Sequence, residues 1–141
     1  MIKKIYVLSF LIILNSALFA VEIRIDFTSK LGLSSGSQFA QLFVPDYYDP
    51  PAHGKFMLVF HFHSATWAAE DEITKSGTNA VLFNIHLGAL SSPYQNYFLD
   101  QSKFKSILDE ILVVLQNNNI IRNPTIETLI LTSFSAGYAG V

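Results

Sequence analysis

A chain of 141 residues holds one domain of ordinary size and leaves no room for a second independent core. Half of its residues are hydrophobic and 14% are charged, which excludes a disordered chain, while 7 Gly and 5 Pro exclude a collagen-like or linker-like one. A net charge of -2 supplies no basic footprint for nucleic acid, and the absence of cysteine removes disulfides, thiolate catalysis and Cys-based metal sites. Any nucleophile is therefore an oxygen or a nitrogen.

Lys3 and Lys4 precede an apolar run from Ile5 to Leu14, and small residues then lead to Ala20, just before the first acidic residue, Glu22. A basic start, an apolar middle and a small-residue exit predict a secretory signal peptide over residues 1–20, with Ala17 as a second processing position. Residues 21–141 are then a secreted or periplasmic domain, free of the membrane once the leader is removed. A retained signal anchor is the alternative, although the segment is short against the roughly 20 apolar residues that a span requires.

Beyond the leader, Glu22 to Phe27 alternates apolar and polar residues, and Gln38 to Val44 forms a second apolar stretch; both are predicted as antiparallel edge strands. Ser34 to Ser37 is a turn between them, and Pro45 to Pro51 a rigid aromatic loop after them. Phe56 to Phe60 is apolar without alternation, as in strands covered on both faces, and the stretches 79–86 and 126–132 repeat that type. A weak helix is predicted from Ala68 to Lys75, with Glu70, Asp71 and Glu72 in its first turn. The clearest helix follows Asp100 as its cap, burying Phe104, Ile107, Leu108, Ile111, Leu112 and Leu115 on one stripe and ending in Asn117 to Asn119. Ser91 to Tyr97 reads as a polar, aromatic loop and the first candidate for ligand recognition, with Trp67, Tyr94 and Tyr97 either lining a pocket or packing in the core. The order of elements predicts the α/β class, a sheet built by right-handed crossovers.

The last buried strand runs into Ser133-Phe134-Ser135-Ala136-Gly137. This resembles the strand-to-helix nucleophile elbow of α/β-hydrolases, G-x-S-x-G, with Gly137 on the pattern and Ser133 in place of its first Gly. Earlier, His61-Phe62-His63-Ser64-Ala65-Thr66-Trp67 resembles the family's His-Gly loop, with Ser64 where a Gly is usual. The likeness covers roughly residues 38 to 140. It implies a hydrolase-like sheet with antiparallel N-terminal edge strands and parallel central strands. It also implies Ser135 as nucleophile, backbone N–H donors to the oxyanion from Ala136 and from Ser64 or Ala65, and His63 as support for the loop. The implied activity is that of an exported serine hydrolase, cleaving a small-molecule ester or amide through an acyl-enzyme without cofactor or metal.

In that family the acid and the histidine of the triad follow the nucleophile, and only six residues follow Ser135. The expectation is therefore an N-terminal portion, truncated after the elbow and inactive by itself. Two other readings stand beside it. One is a non-catalytic binding domain on a hydrolase-like sheet. The other is a metal-dependent hydrolase using His61 and His63, with His86 as a third ligand. His53 is expected to be a solvated turn residue, and His63 to be hydrogen-bonded to backbone.

Overall fold

The computed structural model describes residues 21–33 and 36–141, so the predicted signal peptide and Ser34 and Ser35 of the predicted turn lie outside the described residues. The chain builds one mixed sheet from β1 (Ile23–Asp26), β2 (Phe39–Val44), β3 (Lys55–Phe62), β4 (Val81–His86) and β5 (Thr125–Ser133), in the order β1-β2-β4-β3-β5. β1 and β2 pair antiparallel, as do β2 and β4, whereas β3 pairs parallel with both β4 and β5. The α/β class is thus as predicted. Of the two expected edge strands only β1 is one; β2 lies between β1 and β4.

This order fixes the layers. The crossover from β3 to β4 through α1 (Thr66–Ser76) runs one way along the sheet. The crossover from β4 to β5 through α2 (Ser91–Phe98) and α3 (Gln101–Asn117) runs back past β3. Right-handed connections of opposite direction put their helices on opposite faces. Accordingly Phe56, Leu58, Phe60 and Phe62 of β3 pack with Ile107, Ile111 and Leu115 of α3, while Met57 and Val59 turn to Ala69 and Ile73 of α1. Phe60 is central to the larger layer, its ring 4.8 Å from Phe62, 4.9 Å from Phe83 and 5.1 Å from Phe104.

The helices bear out the long amphipathic stripe and correct two other expectations. Asp100 caps α3, its carboxylate accepting the Ser102 N–H at 3.0 Å. α1 begins two residues before Ala68, so its acidic residues fall beyond the first turn; Glu70 is buried there instead and accepts from Arg24 Nε at 3.0 Å and Nη2 at 2.8 Å. The predicted loop from Ser91 to Tyr97 is helix α2. Pro93 is accommodated because it stands in the first turn, where its missing N–H forfeits no helical bond. Among the described residues no helix is long and apolar enough to cross a membrane.

Replacing Phe60 by Ala is expected to lower the free energy of unfolding by about 3–5 kcal/mol, since it opens a cavity in the middle of a ring cluster. A urea titration against the unmodified chain measures this.

Candidate functional site

Parallel pairing of β3 with β5 sets Phe62 opposite Ser133, so the segments that follow the two strands emerge side by side. The Phe134 N–H donates to the Phe62 carbonyl at 3.0 Å, and the chain then turns sharply. Ser135 takes φ +46°, a left-handed conformation that costs a residue with a Cβ about 1–3 kcal/mol, and opens a short 3-10 helix, Ser135–Gly140. Its side chain is exposed. Gly137 is buried, and a Cβ there would overlap the Phe62 carbonyl oxygen, lie 2.7 Å from the Phe62 carbonyl carbon and 2.8 Å from His63 Cβ. Only glycine fits. Ser133 is exposed, so a side chain two residues before Ser135 meets no such obstacle.

The loop after β3 turns one residue earlier than the sequence pattern predicts. His63 itself is left-handed, at φ +65°, and its N–H donates to the Ile85 carbonyl at 3.0 Å. Ser64 has no positive φ, which is why serine is tolerated where the family pattern has glycine. Ala65 is the N-cap of α1 and supplies no side-chain cap. Among the described residues the N–H groups of Ser64, Ala65 and Ala136 donate to no acceptor. These are the backbone donors singled out in the sequence. They sit on two loops that Phe62, His63 and Gly137 hold in contact, with the positive end of α1 adding to their field.

The register places three rows of side chains on the α1 face of the sheet, numbered from the core outward. Phe43, Leu82, Val59 and Ile130 form an apolar row; Gln41, Asn84, His61 and Thr132 form a polar one. Above them Phe39 stacks on His86 (centroids 5.3 Å apart), His86 on His63 (4.8 Å), and His63 lies parallel to Phe134 at 6.5 Å. A cavity of about 620 Å³ opens between these rows and α1, lined among others by Val59, His61, Trp67, Ile73, Thr132 and Phe134. Ser135 is not in its lining, although Phe134 beside it is.

Within the polar row His61 Nδ1 and Thr132 Oγ1 share a hydrogen bond at 2.8 Å, and Asn84 Nδ2 donates to Ser64 Oγ at 3.3 Å. His61 Nε2, Asn84 Oδ1 and His86 Nδ1 are buried with no partner among the described residues. Burial, reinforced by His63 nearby, pushes the pKa of His61 and of His86 below the ordinary histidine value. The His63 ring bonds the Tyr94 hydroxyl at 3.0 Å, so the expectation of a backbone partner holds for its main chain and not for its imidazole.

The metal reading loses its ligand set. Near-parallel stacking of His63 on His86 sends their nitrogen lone pairs into separate planes, and His61 is turned to Thr132. Among the described residues no three His, Asp or Glu side chains gather as ligands. His53 is exposed in a turn, as expected. Of the aromatic candidates, Trp67 is 71% exposed and lines the cavity, Tyr94 is core, and Tyr97 packs edge-on against Phe98. Sequence reasoning passed over Asn84 and Thr132. The signal for Asn84 was present, as a lone amide inside an otherwise apolar strand.

Two outcomes follow from this geometry. Gly137→Ala is expected to destabilise the chain by at least about 2 kcal/mol in a urea titration, because backbone rather than a movable side chain occupies the space. As pH falls from about 7 to about 5, the unfolded chain takes up protons at His61 and His86 that the folded chain refuses, so stability falls with pH. Thermal melting should show the wild type losing more stability across that range than His61→Gln, which carries one fewer such group. No family model, no curated protein and no solved structure matches this chain, and the reading of the site rests on its own geometry.

Proposed function

We propose that this chain carries the nucleophile and oxyanion-binding loops of an exported serine hydrolase with an α/β-hydrolase-like sheet, acting on an ester or amide of a small molecule. The observation that carries the reading is Ser135, an exposed hydroxyl on a left-handed turn, directly followed by the unpartnered Ala136 N–H, on a segment whose Gly137 is packed against Phe62 and His63, next to the free Ser64 and Ala65 amides. In the reaction the Ser135 oxygen attacks the substrate carbonyl carbon, and its proton passes to a general base. The carbonyl oxygen gains the negative charge that the backbone N–H groups stabilise, at roughly 3 kcal/mol per donor. Collapse of that intermediate expels the alcohol or amine and leaves an acyl group on Ser135, which water then removes.

Among the described residues no side chain hydrogen-bonds the Ser135 hydroxyl, so in this reading the serine is presented without a base in contact with it. The same observation favours a second reading, a binding domain that uses the loops without chemistry. A fluorophosphonate probe separates them. The chain is expected to be labelled at Ser135 roughly 10⁴-fold more slowly than a serine activated by a full triad, and Ser135→Ala to abolish that label. A chain that takes up no label, or a label that Ser135→Ala leaves unchanged, would overturn the hydrolase reading in favour of the binding domain.

A further inference from the structure

Tyr94 is completely buried, and its hydroxyl faces the backbone N–H groups of Leu87 and Gly88 and the ring of His63. It accepts the Leu87 N–H at 2.9 Å and lies 3.0 Å from His63 Nδ1. A phenol carries a single proton, and a buried O–H left without an acceptor is destabilising. The Leu87 and Gly88 N–H groups are themselves donors and cannot take that proton. The remaining partner is His63 Nδ1, which must then present a lone pair. A neutral imidazole with its lone pair on Nδ1 carries its proton on Nε2.

We infer that Tyr94 locks His63 in the Nε2–H tautomer, making His63 a hydrogen-bond donor to the carbonyl oxygen of a bound ester or amide rather than a base for Ser135. The ring is restrained in this position. It stacks on His86 at 4.8 Å and lies parallel to Phe134 at 6.5 Å, and the His63 N–H is bonded to the Ile85 carbonyl. Nε2 has no partner among the described residues, and His63 lines the 620 Å³ cavity beside Phe134, the residue before Ser135. A fixed N–H donor selects for an acceptor oxygen; an acceptor-only group such as an ester carbonyl satisfies it, and a substrate N–H or ammonium in that position does not. Tyr94, which reaches the ligand only through His63, is a positioning residue.

This inference rests on the hydrolase reading for the identity of the ligand and not for the state of the histidine, and its tests are arranged accordingly. Long-range ¹H–¹⁵N correlation spectra of the histidine-labelled 141-residue chain at about pH 7.5 are expected to show His63 as a single Nε2–H tautomer. His63→Gln assigns the signals and retains an N–H donor at the same reach. Tyr94→Phe is expected to turn the single tautomer into a mixture; should that variant fail to fold, the wild-type spectrum still decides. An Nδ1–H tautomer in the wild type overturns the inference. Titration with ethyl phenylacetate, an uncharged acceptor-only ester, is expected to shift the His63 Nε2–H resonance in the wild type and in Ser135→Ala alike. An unmoved resonance at saturation removes the donor role. Because Ser135→Ala keeps both readouts, failure of the serine chemistry appears in the fluorophosphonate experiment and failure of the histidine assignment appears here.

Discussion

At the place where any other residue at position 137 would carry its Cβ stands the carbonyl oxygen of Phe62. That one close approach ties the turn after β5 to the end of β3, and the rest of the site is arranged around it. The bond from the Phe134 N–H to the same carbonyl brings the Phe134 ring parallel to His63. With positions 134 and 137 both anchored to Phe62, the chain has two residues in which to reverse, and Ser135 is driven to positive φ. The strain is held by backbone contacts rather than by side-chain packing, so the serine hydroxyl is left free at the surface.

Topology supplies the other half of the arrangement. β3 and β4 are parallel neighbours whose connections leave toward opposite faces, α1 to one and α2 to the other, and such a divergence opens a crevice at the carboxyl ends of the strands. His63 and His86 close the floor of that crevice by stacking across it. β5, delivered to the far side of β3 by the return crossover, adds Thr132, Phe134 and Ser135 to the same end. Residues some seventy positions apart in the chain become neighbours with no long loop to order, since two regular crossovers account for the whole separation.

The fold was largely legible in the sequence because its elements carry their own period. The apolar runs marked strands, and α3 read as a stripe with a cap, all within a few residues; β4 is covered on both faces as expected, whereas β5, at the edge of the sheet, is exposed along most of its length. α2 was hidden because Ser91-Ser92-Pro93 has turn chemistry; the same residues are acceptable in the first turn of a helix, where proline loses nothing. With α2 unread, Tyr94 could not be placed, and with it went the partner of His63. The loop residues of the site were legible as types but not as conformations. A glycine was sought at position 64 to make the turn, whereas His63 takes the left-handed backbone and leaves Ser64 ordinary. Gly137 was the opposite case, since a close backbone approach leaves only one residue type and therefore shows in the sequence.

What distinguishes the carboxyl end of the sheet from its packed middle is where free energy is given up. Among the described residues four non-glycine positions have positive φ; two are Asn119 and Asn123, a residue type that tolerates the left-handed region, and the other two are His63 and Ser135. The orphaned nitrogens of His61 and His86 and the orphaned oxygen of Asn84 lie along the same strand ends, each a buried polar atom costing about 1–3 kcal/mol relative to a satisfied one. One row lower, where Phe43, Leu82, Val59 and Ile130 occupy equivalent positions, the sheet shows that apolar side chains fit this face. A sheet shaped by packing alone would continue that row upward. Strained backbone, unsatisfied imidazoles and unclaimed amides instead converge on the ends of β3 and β4 and the two loops beside them, as in a site whose polar groups are completed by what it binds.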